Sequence, residues 1–153
     1  MLRSINVLLV VGTVVTAAPV PKAVKNASTT DGTWEAVEWY SAGRRVHSSV
    51  VMQWTIEGEN LSIERKTNGV AVAAAVNPPT YSLVRPDKGK SNAVDYTIKY
   101  TTGRVKTYPG RMEVDGDTLK LCYETRGGDR PTECAAGETN VLYVFKRVKP
   151  TDK

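Results

Sequence analysis

From position 32 onward, apolar and polar residues alternate one for one, and turn-forming dipeptides break the alternation at short intervals. A period of two marks strands with one dry and one wet face, and it leaves little choice of fold class. Val50, Met52, Trp54 and Ile56 alternate with Val51, Gln53, Thr55 and Glu57. Gly58-Glu59-Asn60 turns the chain, and Leu61 and Ile63 then alternate with Ser62, Glu64 and Lys66. Val94, Tyr96, Ile98 and Tyr100 repeat the pattern, as do Leu119, Leu121 and Tyr123 around Lys120 and Cys122. Asn68-Gly69 and Asp115-Gly116 are hairpin signals, because these residues tolerate positive φ.

The remaining segments are read the same way. Residues 34–40 are β-prone, 80–84 form a short strand, and 140–148 form a final, very apolar one. Residues 105–114 predict a strand interrupted at Pro109-Gly110, which suggests an edge position or a bulge. Residues 70–76 are apolar on both sides but small. Their β-branched ends, and Asn77-Pro78-Pro79 behind them, predict a strand that stops abruptly. No sustained helical period is visible. About eight or nine short strands joined by tight turns predict a single all-β domain. Closing the sheet into an antiparallel up-and-down barrel removes its exposed edges.

The N-terminus reads differently. Met1-Leu2-Arg3 is a short positive start, residues 5–15 are mostly apolar, and Thr16, Ala17 and Ala18 are small. This is the layout of a secretory signal, with cleavage expected after Ala17. The apolar run falls well short of the ~20 residues that span a bilayer, so no membrane span is expected after cleavage. The organisation is then a signal at 1–17, a flexible linker at 18–31, a barrel at 32–149 and a tail at 150–153. The expected location is outside the cytoplasm, periplasmic or extracellular.

The net charge is +5, but the lysines and arginines are scattered, with no run longer than Arg44-Arg45. A nucleic-acid binder gathers them on one stripe with stacking aromatics, so no nucleic-acid partner is expected. Cys122 and Cys134 are the only cysteines. In an oxidising compartment they can close a disulfide around a short loop, worth about 3 kcal/mol, or remain two thiols on neighbouring segments. With one histidine, His47, they match no zinc pattern, so no metal or other cofactor is expected.

Two sets of residues carry a family resemblance. Gly32-Thr33-Trp34 opens the first strand and Lys146-Arg147 closes the last, which resembles the lipocalin signature of a Trp packed under an Arg at the closed end of the barrel. The guanidinium there covers the indole face. The series Gly110-Arg111-Met112-Glu113-Val114-Asp115-Gly116-Asp117-Thr118-Leu119-Lys120-Leu121-Cys122-Tyr123 is followed by Gly128-Asp129-Arg130-Pro131-Thr132-Glu133 and Leu142-Tyr143-Val144-Phe145-Lys146-Arg147. Together these resemble a lipocalin-like domain family of unknown function abundant in planctomycete bacteria. The likeness runs over 32–147, includes Tyr81-Ser82-Leu83 and Val94-Asp95-Tyr96, and is poor over 65–80. It implies a bacterial, usually exported or membrane-associated, small barrel and no particular activity. The family commonly has an aromatic residue where this chain has Cys134, so a Cys122–Cys134 bond would be a local addition.

If the alternation sets the facing, Met52, Trp54, Ile63, Tyr96, Tyr100 and Tyr123 point into the barrel. There they form either a packed core or the wall of a small-ligand site. Ala71, Ala73, Ala74 and Ala75 leave room on one side, and inward tyrosines supply convergent hydroxyls. His47 beside Ser48 has no orienting acid in view, so catalysis is not expected. Asp115 and Asp117 are too few for calcium and are explained by the turn. The loop at 126–133 carries Arg126 and Arg130 and is expected at one barrel end. The expected function is binding of a small, partly apolar molecule inside the barrel, by a protein that is not an enzyme. The alternative is a non-catalytic interaction or structural module of the cell envelope, whose partner proteins the sequence does not name.

Overall fold

The computed structural model describes residues 29–73, 75–88 and 91–149. The expected signal segment, most of the linker, Ala74 and the tail at 150–153 lie outside the described residues. Ten strands are present: β1 (Gly32–Ser41), β2 (Arg44–Arg45), β3 (Val50–Glu57), β4 (Asn60–Thr67), β5 (Val70–Ala71), β6 (Thr80–Val84), β7 (Ala93–Lys99), β8 (Val105–Asp115), β9 (Thr118–Glu124) and β10 (Asn140–Arg147). Eight of them form the wall in the order β1-β3-β4-β6-β7-β8-β9-β10, each antiparallel to its neighbours, and β10 pairs back onto β1. The sheet is closed. This is the lipocalin-like up-and-down barrel expected from the alternation, with β2 and β5 as short additions on β1 and β4.

Facing follows from the pairing. Trp34 stands opposite both Trp54 and Arg147, Tyr96 opposite Tyr108, and Tyr143 opposite Leu121, so these side chains share the inner face. Among the most buried inward residues, Trp34, Ile56, Leu83, Val94, Leu119 and Phe145 fill the half of the barrel near the β3–β4 and β8–β9 turns. Each such burial is worth roughly 1.5–3 kcal/mol. Arg147 closes that end. Its Cζ lies 4.0 Å over the Trp34 ring, and its Nη1 and Nη2 donate to Asp31 O at 2.8 Å and Thr29 O at 2.6 Å. Residues 29–31, expected to belong to a loose linker, are therefore pinned. Trp34 Nε1 donates to Thr30 O, and Gly58 N donates to Asp31 Oδ1.

Three local expectations are corrected. β8 is not interrupted: it runs through Pro109 and pairs with β7 on one side and β9 on the other. The β8–β9 ladder begins at Gly110↔Tyr123, so the N–H that Pro109 lacks falls just past its end. The bulge lies instead in β1, between Ala36 and Glu38. Among the described residues of the apolar run at 70–76, only Val70 and Ala71 form strand. Alanines offer little cross-strand packing, and that packing is what holds a strand in a sheet.

The loop after β9 does not stay at the barrel end. It folds back along the outer wall, where Arg130 Nη1 donates to Val94 O at 2.5 Å and to Gly110 O at 2.6 Å, and Nη2 meets Asp95 at 2.6 Å. The same loop brings Cys134 over the Arg111↔Cys122 pair. Cys122 and Cys134 are free thiols, the first donating to Glu133 O and the second to Arg111 O, each at 3.3 Å, and their interaction lowers the first and raises the second. Charge-assisted bonds to a half-buried guanidinium are worth about 1.5–3 kcal/mol, so Arg130→Met is expected to cost about 2 kcal/mol in urea denaturation. A loss below about 0.5 kcal/mol would show that the loop does not brace the wall.

Candidate functional site

The end opposite Arg147 is built from the C-terminal halves of β1, β4, β7 and β9 and the N-terminal halves of β3, β6, β8 and β10. The β3–β4 hairpin is paired along its whole length, from Val50↔Thr67 to Glu57↔Asn60. Its flanks are not. β1 holds β3 only from Gly32↔Ile56 to Glu35↔Gln53, and β4 meets β6 only at Asn60↔Ser82 and Leu61↔Tyr81. Beyond those pairs the β1 bulge redirects β1 toward β2, while β4 is capped by β5 through Lys66↔Ala71 and Thr67↔Val70. The upper half of the hairpin thus stands off the wall on both sides.

Each gap is a cavity. The one between β1 and β3 is small, about 160 Å³, with Trp39, Met52, Arg45 and His47 on its wall. The one between β4 and β6 is larger, about 590 Å³, and is lined by Ile63, Arg65, Ala71, Val72, Ala73, Pro79 and Tyr81 among others. This volume lies in the range of small-molecule sites. The alanines, which could not sustain a strand, are what leave it open.

The middle of the barrel, by contrast, is packed with rings. Trp54 lies 4.9 Å from Phe145, 5.3 Å from Tyr143 and 5.9 Å from Tyr96, centroid to centroid. Tyr96 in turn meets Tyr81, Tyr108 and Tyr123. Two donors within this packing are unsatisfied: Trp54 Nε1 and Trp39 Nε1 are buried and donate to no protein acceptor among the described residues. Three of the phenols are held neutral. Burial pushes Tyr143 up to about 12, with its hydrogen bond to Tyr123 and the nearby Arg65 charge pulling the other way. Burial likewise raises Tyr96 and Tyr123. Tyr96, Tyr123 and Tyr143 thus offer the chamber hydroxyl donors beside its apolar surface.

Of the six residues expected to line a site, five occupy inward positions, and they do different things. Trp54, Tyr96 and Tyr123 are buried in the ring cluster, Met52 faces the smaller gap and Ile63 the larger. Tyr100 sits just past β7, its N–H bonded to Arg104 O. Tyr81, Tyr108, Tyr143, Trp39, Arg65 and Lys106 share the inner face and were not singled out from the sequence. The alternation through Leu61 and Ile63 reaches Arg65, and Tyr108 is two residues from Lys106. The remaining candidates dissolve into structure. Asp117 pairs with Arg147 at 3.7 Å and Lys149 at 3.1 Å, and Ser48 Oγ accepts the Val50 N–H beside an exposed His47. The buried Glu124 carboxylate lies outside the barrel, held low by hydrogen bonds from Thr139 and the Arg126 N–H.

Fold and site together define a closed eight-stranded antiparallel barrel, plugged at one end and open beside the β3–β4 hairpin at the other. No protein-family model, curated protein or solved structure matches the chain.

Proposed function

We propose that the barrel is a non-catalytic binder of a small, partly apolar molecule, acting after export from the cytoplasm. The observation that carries this reading is the cavity of about 590 Å³ between β4 and β6, walled by Ile63, Ala71, Val72, Ala73 and Tyr81. An apolar body of modest size fits such a wall, and tyrosine hydroxyls beside it orient polar groups. Export rests on the N-terminal pattern alone.

The uncharged fluorophore N-phenylnaphthylamine tests the binding. Titration of the full chain is expected to give a saturable, single-site rise in emission. Ala73→Trp, which fills the cavity from an exposed position, is expected to weaken it at least ten-fold with the melting temperature unchanged. A linear, unsaturable response, or an Ala73→Trp variant that binds as before, would remove the reading. A second reading, an envelope interaction module, is favoured by the exposure of Val70 and Val76, at 70% and 93%. Replacing both by Thr then abolishes partner capture without changing fluorophore binding.

A further inference from the structure

The inward positions of the wall carry a charge pattern. On β4 they are Leu61, Ile63, Arg65 and Thr67, because Arg65 stands opposite Met52 and Ile63 opposite Trp54. On β8, Lys106 stands opposite Ile98 and Tyr108 opposite Tyr96, which places Lys106 on the same face. Following the register around all eight wall strands, no inward position is Asp or Glu among the described residues. The open half therefore holds two cations and no carboxylate on its inner face.

Arg65 is the exception among the arginines of the wall and of the loop that braces it. Arg111 is paired with Glu113, Arg130 with Asp95 and Arg147 with Asp117. Arg65 has no ion pair and no side-chain hydrogen bond among the described residues. It lines the larger cavity, and its charge is felt at Tyr143. Glu64 also borders that cavity, but it sits on the outer face with Lys66 at 3.4 Å. A guanidinium spends strong donor capacity on any planar anion that reaches it, and Arg65 is exposed at the cavity rim, open to such an anion from solvent. The neutral phenols and the unsatisfied indole N–H of Trp54 add donors and no acceptor charge to compete.

We infer that the ligand of this cavity is an amphiphile with a single anionic head of the carboxylate or sulfonate type, held by Arg65 with its apolar body against Ile63, Ala73 and Tyr81. Lys106, on β8, supports the same preference through the field it adds to the mouth. The inference rests on the binding function proposed above and names the class of molecule bound.

A matched pair of probes tests it: anilinonaphthalene sulfonate, and N-phenylnaphthylamine, which is the same body without the sulfonate. On the full chain at low salt, the anionic probe is expected to bind about ten-fold more tightly than the neutral one. Arg65→Gln is expected to erase most of that ratio while leaving neutral-probe affinity and the melting temperature unchanged, and Arg65→Lys is expected to keep part of it. Arg104→Gln, in the exposed β7–β8 turn, is expected to keep all of it. Raising the salt is expected to narrow the ratio, since Arg65 is exposed and its charge is open to screening. Neutral-probe binding with no anionic preference, or a preference that survives Arg65→Gln, overturns the head-group assignment and leaves the binding function standing. If neither probe binds, both fall.

Discussion

Replacing Trp34 with alanine is expected to destabilise the barrel by about 3–5 kcal/mol, the loss typical of removing a fully buried Trp from a core. Trp34 is 0% exposed. It stands in β1 between Trp54 on β3 and Arg147 on β10, where the sheet closes on itself. Three separate terms meet in this one side chain: indole area removed from water, the 2.8 Å bond from Nε1 to Thr30 O, and the Arg147 guanidinium over the ring. Without the indole, the Arg147 guanidinium loses the ring it lies over. Its bonds to Asp31 O and Thr29 O, which hold the entering chain across the barrel end, then lose their support. Trp34→Phe keeps most of the area and loses the N–H, so it is expected to cost a smaller amount, about 1–2 kcal/mol. Urea denaturation measures both. A loss below about 1 kcal/mol for Trp34→Ala would mean that the closed end is not the anchor of the fold. A double-mutant cycle with Arg147→Ala is expected to give a coupling of about 0.5–2 kcal/mol, the cation–π share of the total.

The features readable from the sequence are those that depend on a period of two. Because successive side chains alternate between faces, Met52, Trp54 and Ile56 had to share one side, and so did Tyr96 and Ile98. Barrel closure followed from the need to leave no edge. The features that escaped depend on partners distant in sequence. Nothing near Arg130 says that its guanidinium reaches Val94 and Gly110, at separations of 36 and 20 residues. The β1 bulge is equally silent, since Ala36-Val37-Glu38 reads as ordinary strand until the register with Phe145 and Val144 is known. At residues 70–76, β-propensity and packing pull in opposite directions, and packing decides. The site shows the same division. Its aromatic wall was legible, but Arg65 and Lys106 sat at inward parity unnoticed, because a cation in a strand is normally counted as a solvent-facing break.

Gly110→Ala is expected to be nearly as damaging as the loss of Trp34, for the opposite reason: it adds an atom where there is no room. A Cβ built at Gly110 would lie 2.6 Å from Cys122 O and 3.0 Å from Tyr123 Cβ. Real Cβ atoms do not approach backbone oxygen so closely, and this oxygen belongs to a strand that cannot swing aside. Gly110 occupies an inward position opposite Tyr123, whose ring packs tilted against Tyr96, Tyr108 and Tyr143. Its own carbonyl is one of the two that Arg130 grips from outside. Separating β8 from β9 to admit the methyl therefore disturbs the ring cluster on one face and the loop brace on the other. Overpacking of this kind costs about 1–3 kcal/mol where side chains can yield, and here the obstruction is backbone, so about 3 kcal/mol is expected. Gly128 is the control. Its added Cβ would meet only the Glu124 carboxylate, at an ordinary 3.4 Å, and Gly128→Ala is expected to be within about 0.5 kcal/mol of neutral. Chemical denaturation of the pair separates steric exclusion at Gly110 from a general intolerance of change in this region. Equal losses in the two variants would show that the β8–β9 seam has the slack the packing denies.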